Sequence, residues 1–153
     1  MSGKGAASWA AVAGGAIIGG SARYGLDHAI PHAIDGFPWS TLLVNIVGSF
    51  ALGWLTAAVW GRVPDWVRAG LGAGVLGSFT TFSAVAVAAV AIAEGGPLTG
   101  GPGSIEPGDF AIGALVVLTN LVGGVLAAAV GTLLGRRGRP LAAVARHEQG
   151  EDA

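Results

Sequence analysis

Gly70-Leu-Gly-Ala-Gly-Val-Leu-Gly-Ser-Phe-Thr-Thr-Phe-Ser83 lies inside an apolar segment that carries no charge between Arg68 and Glu94. That segment is long enough and apolar enough to cross a bilayer. Its centre is nevertheless poor helix material, with glycines at 70, 72, 74 and 77 followed by two threonines and a serine. Glycine costs about 1 kcal/mol relative to alanine in a helix interior, and threonine is stiff at its first side-chain torsion. In lipid, non-helical backbone survives only where protein buries it or where it lines a wet cavity. Two readings follow. An interrupted helix would offer free carbonyls to a cation near the midplane. An uninterrupted one would use its small residues to let a neighbour approach.

The rest of the chain agrees with a membrane setting. Of 153 residues, 52% are hydrophobic and only 11% charged, against about 25% charged in soluble domains. The uncharged intervals are Gly5–Ala22, Gly36–Gly61, Ala69–Ala93 and Phe110–Gly135, each near or above the roughly 18 residues of a spanning helix. They predict an all-α integral membrane protein in the lipid bilayer of the cell. Its four transmembrane helices cover about residues 6–26, 38–60, 66–94 and 109–134, with a polar tail over 135–153. One membrane domain accounts for almost the whole chain. Lys4 before an apolar run has the look of a signal peptide, but Gly14, Gly15, Gly19 and Gly20 and the lack of a cleavage pattern favour a first span. No basic-aromatic patch points to nucleic acid. The absence of cysteine removes disulfides and thiolate metal sites.

Polar residues within the spans are few and therefore informative. Thr41, Asn45 and Ser49 recur at four-residue spacing, which stacks them on one face of the second helix. Such a stripe is either interhelical glue at about 0.6 kcal/mol per bond or the lining of a pathway. Asn45 carries the sharper possibility, because an amide offers donors to an anion. On the fourth helix Gly113, Val116, Asn120, Gly124, Ala127 and Gly131 share a face that reads as packing. Asn120 is the polar member of that face. Gly15 and Gly19 form a small-residue contact on the first helix. His28 and His32 are separated by Pro31, which breaks helical ligand geometry and leaves them as loop residues.

Four spans put the N-terminus, the middle loop and the C-terminus on one side. That side holds Lys4, Arg62, Arg68, Arg136, Arg137, Arg139 and Arg146, while the other has at most Arg23. Lys/Arg bias then predicts that both termini are cytoplasmic.

Three motifs together resemble a known family. Thr41-Leu-Leu-Val-Asn-Ile-Val-Gly-Ser-Phe50, Gly77-Ser-Phe-Thr-Thr-Phe-Ser83 and Gly19-Gly-Ser-Ala-Arg-Tyr24 are similar to elements of the small bacterial fluoride channels, the Fluc or CrcB family. The resemblance covers all four spans in order. It implies a subunit that pairs head-to-tail with a second, oppositely inserted subunit, as an antiparallel homodimer or with a paralogue. Two fluoride pores would run along that interface, and the third helix would be broken at its centre. A structural, untransported sodium ion would sit between the subunits, held by the carbonyls of Gly77 and Thr80. Phe82 would line the pore with its positive ring edge. Asn45, Thr81 and Ser83 would replace part of the water around fluoride, and Asn120 would be a small polar pore position.

Two departures stand out, because Val85 and Val116 occupy positions where the family often has aromatic residues. With the charge bias, they imply a paired form in which a paralogue inserts the other way. The function implied is passive fluoride efflux and no enzyme chemistry. One alternative is a supporting subunit with a vestigial pore, or a non-conducting assembly factor. Another is a small proton-coupled multidrug exporter, which would need a carboxylate inside the membrane; the four uncharged intervals contain none.

Overall fold

A computed structural model describes residues 3–30, 37–93 and 107–137. The described residues are helical with short connections. Helix α1 spans Gly3–Ala29 and α2 spans Trp39–Ala58. The third segment begins with α3, Asp65–Ala69, continues as a π-helical stretch over Gly70–Leu76, and returns to α-helix in the short α4, Gly77–Phe79. After the interruption, α5 covers Ser83–Ala93, and α6 covers Pro107–Arg137. Residues 135–137, expected to open the polar tail, are therefore helical. Of the loop expected between the third and fourth spans, over 95–108, residues 107 and 108 are helical; residues 95–106 and the tail from 138 onward lie outside the described residues.

Among the described residues, three helical segments are long and apolar enough to cross a membrane: Trp39–Ala58, Asp65–Ala93 and Phe110–Arg137. The protein is thus a multi-pass membrane protein that is helical, apart from short connections, over its described residues. Helix α1 has the length for a span, since 27 residues rise about 40 Å. It falls short in apolarity because glycine and alanine dominate it.

Close backbone approach sets the packing. Helix α1 lies along the π-helical stretch: a Cβ at Gly15 would strike the Gly70 carbonyl, and one at Gly19 the Val75 carbonyl. Helices α2 and α6 meet in the same way, with Gly53 against the Ala128 backbone and Gly131 against the Phe50 carbonyl. Gly113 brings α6 within a Cβ distance of 2.7 Å of the Ala89 carbonyl on α5. The third segment thereby bridges the molecule, its first half on α1 and its second half on α6. Lipid tails are as apolar as leucine, so van der Waals packing of small residues is what brings such helices together. Val85, Ile92 and Val116 fill the α5–α6 seam, with Phe37, Ile112 and Val117 around them.

The interruption stands later than the glycines suggest. Gly70, Gly72 and Gly74 do not end the helix; they widen it, and the Gly77 N–H reaches back to the Gly72 carbonyl five residues earlier. The Thr80 N–H still bonds the Leu76 carbonyl at 3.0 Å. Only then does the chain leave the helix, with Thr80 extended at φ −77° and ψ 154°. The flexible glycines accept a π-turn, a feature frequent at functional sites. The break falls to the β-branched pair Thr80-Thr81.

Candidate functional site: a polar cleft at the helix interruption

One side chain holds the interruption open. Asn45 on α2 accepts the Thr81 N–H at Oδ1 (2.8 Å) and donates from Nδ2 to the Thr81 carbonyl at 3.0 Å. The amide thus pairs with both backbone groups of one residue, as a neighbouring β-strand would. Its other Nδ2 hydrogen goes to Asn120 Oδ1, also at 3.0 Å. Asn120 in turn donates to the Val116 carbonyl one turn back on α6. Three elements are tied at this point, and both donors of Asn45 are spent on the tie. An anion would have to displace one of these bonds to be held by Asn45 itself. Asn120 uses one of its two amide hydrogens on Val116, which leaves the second for the cleft.

Two backbone donors are diverted by this arrangement. In a continuous helix the Gly77 carbonyl would receive the Thr81 N–H, and the Thr80 carbonyl the Ala84 N–H. Here the first goes to Asn45, and the second goes to Thr81 Oγ1 at 3.2 Å. Gly77 and Thr80 therefore lose their helical donors, and Gly77 is exposed. Both carbonyls stand at the C-terminal, partially negative end of the preceding helix. The N-terminus of α5, partially positive, begins at Ser83. Carbonyls without helical donors are oxygen ligands of the kind a hard cation takes, so the residues present fit such an ion without a carboxylate.

Asn45, Gly77, Thr80, Thr81, Phe82 and Asn120 line one cleft of about 460 Å³ between α2, the interruption and α6. Ser83 stands outside the lining, exposed, with its hydroxyl 3.1 Å from Thr81 Oγ1. One hydroxyl hydrogen closes that contact, so the pair keeps one more to offer a passing ligand. Thr80 Oγ1 is committed to the Leu76 carbonyl at 2.8 Å. Phe82 is 73% exposed, its ring standing free at the cleft. Among the described residues, no charged side chain lines this space. It can strip water from a small ion only through hydroxyls, an amide hydrogen and helix ends.

Sequence reasoning gave no role to Gly48, whose missing side chain leaves room for the methyl of Thr80; Ser49 of the α2 stripe and Val85 also line the cleft. The signal for Gly48 was present in Val44-Asn-Ile-Val-Gly-Ser49, where it stands three residues beyond the tie. Val85 and Val116 are at most 1% exposed; both pack into the α5–α6 seam.

A family model described as CrcB-like protein, Camphor Resistance (CrcB), matches residues 10–132. The chain belongs to the CrcB family. Among CrcB-related proteins, one from Rhodococcus jostii named fluoride-specific ion channel FluC 1 is 39% identical over 131 residues. That match takes in 85% of this chain and 86% of the relative. A Geobacillus kaustophilus protein named fluoride-specific ion channel FluC 2 is 35% identical over 118 residues, 75% of this chain and 82% of its own length. A Rhodospirillum centenum protein named fluoride-specific ion channel FluC is 46% identical over a shorter stretch of 84 residues. That stretch is half of this chain and 64% of the relative.

Proposed function

We propose that this CrcB-family chain is one subunit of a passive fluoride channel that lowers cytoplasmic fluoride. The observation that carries the reading is the cleft at Thr80–Phe82: hydrogen-bonding groups, an exposed aromatic ring and no fixed charge, set where a helix stops and restarts. A small anion needs donors to replace its water, and a bare positive side chain would hold it too long for conduction. The free hydroxyl hydrogen of the Thr81–Ser83 pair, the second amide hydrogen of Asn120 and the N-terminus of α5 would supply those donors. Phe82 would present its ring edge. Asn45 would position this set by holding the chain open.

The subunit is one membrane domain in which α1 is the first of four spans; in the orientation that the arginine bias favours both termini are cytoplasmic, and the second chain of the pair is inserted the other way. It works as an antiparallel pair. The carbonyls of Gly77 and Thr80 would hold sodium between the two chains, supported by the loss of their helical donors and by the exposure of Gly77. Sodium, when bound, would contribute a fixed positive charge that neutralises facing carbonyl ends; it would not cross. The chain carries ions and performs no covalent chemistry.

A second reading is favoured by Val85 and Val116, which pack into this chain's own core and leave Phe82 as the aromatic at the cleft. In it, an inverted paralogue supplies the remaining pore groups. Fluoride-electrode recording of efflux from liposomes, against chloride efflux, tests both. Fluoride release by this chain alone supports the homodimer, and release only with an inverted relative supports the pair. Equal release of chloride, or no release in either case, would sink the channel reading.

A further inference from the structure

Among the described residues, the two ends of the molecule differ in charge. At one end Gly135 lets α6 settle against α2, where an added Cβ would lie 2.9 Å from that of Ala57 and 2.8 Å from the Trp54 carbonyl. This seats Arg136 and Arg137, both exposed, beside the turn after α2 that carries exposed Arg62. Arg68 on α3 is occupied by Asp65 of the same helix. Arg62, Arg136 and Arg137 have no carboxylate within ion-pair distance among the described residues. Among the described residues, the far end has one arginine, Arg23, with Asp27 one turn on along α1, both half-buried, and Asp109 at the start of α6.

Tryptophans mark the depth of the arginine end. Trp54 on α2 and Trp66 on α3 are exposed, as is Trp9 on α1. Trp9 lies near the level of Gly70, because Ala11 packs on Gly70. Indole rings settle at the headgroup level of a bilayer. Arginines just beyond them, on stems that lie along apolar surface, reach the phosphate layer. A guanidinium fork matches phosphate with two parallel hydrogen bonds.

We infer that this end is a docking surface for anionic phospholipid headgroups. Three guanidinium groups with no carboxylate partner among the described residues, at phosphate depth and beside exposed indoles, complement an anionic lipid and give a zwitterionic one little advantage. The inference rests on the fold and its place in the membrane and is independent of what ion the cleft conducts. Each arginine near a membrane surface favours an anionic lipid by about fivefold, and the attraction is screened by salt.

The test uses the full chain in phosphatidylcholine vesicles doped with a minor fraction of phosphatidylglycerol brominated on its acyl chains. Tryptophan quenching is compared with that from the same fraction of brominated phosphatidylcholine. The expected result is stronger quenching by the anionic lipid, weakened at high salt. It should fall to the phosphatidylcholine level in the triple variant Arg62→Gln, Arg136→Gln, Arg137→Gln and persist in Arg23→Gln. Should the triple variant fail to insert, the salt series on the unaltered chain decides. Equal quenching by the two lipids, a preference indifferent to salt, or one kept by an inserted triple variant would overturn the proposal.

Discussion

Asn45 does at one position what a stretch of secondary structure does elsewhere. Its amide satisfies the N–H and the C=O of Thr81, groups that would otherwise lie unpaired beside lipid. Replacing Asn45 by leucine keeps the forked shape and removes both partners. An unmet buried polar group costs about 1–3 kcal/mol, so Asn45→Leu should lower the thermal midpoint in detergent by far more than Asn120→Ala, which removes only one bond to the tie. Equal shifts would show that the brace is not what holds Thr81. Asn45→Asp keeps an acceptor for the Thr81 N–H but turns oxygen lone pairs toward the Thr81 carbonyl and Asn120 Oδ1. Fluoride flux should be lost in that variant; normal flux would remove Asn45 from the route. At Thr81, losing the hydroxyl frees the Ala84 N–H, so Thr81→Val should cost about 1 kcal/mol, the usual value of a lost helix cap, read as a smaller drop in the same midpoint.

At the level of elements, neighbouring glycines on α1 make opposite demands. A Cβ at Gly19 would collide with the Val75 carbonyl, whereas one at Gly20 meets nothing within 4 Å. Gly19→Ala should destabilise by about 2 kcal/mol through overpacking. Gly20→Ala should leave stability unchanged or raise it by up to about 1 kcal/mol through helix propensity. Thermal unfolding of the two variants side by side checks this, and matching losses would contradict the α1 contact. The small-residue pattern at Gly15 and Gly19 was legible in the sequence because spacing alone puts both on one face. The segments around 39–58, 65–93 and 110–137 were legible because apolar length has few other meanings. Local propensity did not fix the point of interruption; only the resemblance, through the carbonyls of Gly77 and Thr80, pointed near it. Low helix propensity marked Gly70–Gly77, yet there α1 packs so tightly that the helix merely widens. Thr80 and Thr81 yield because a partner 36 residues away captures the Thr81 backbone. Long-range capture of this kind leaves no local pattern; at most, a lone amide in an apolar helix hints that something nearby needs pairing.

For the whole molecule, the charged ends and the cleft together set how it works. The chain contains no cysteine, so single-cysteine reporters are clean. Gly25→Cys and Gly61→Cys sit at opposite ends of the helices. The arginine bias predicts that an impermeant maleimide labels the first in intact cells and the second only after lysis. Comparable labelling of both from outside would mean dual insertion and would favour the homodimer. The claim on which the functional account rests is that fluoride passes beside the interrupted helix, and Phe82 tests it with least confusion. Its ring is 73% exposed in the single chain, so Phe82→Ile disturbs little of the subunit's own packing. Fluoride-electrode efflux from liposomes with equal amounts of folded protein should slow by about tenfold or more in this variant, the rate equivalent of about 1.4 kcal/mol. Efflux at the unaltered rate would place the route elsewhere.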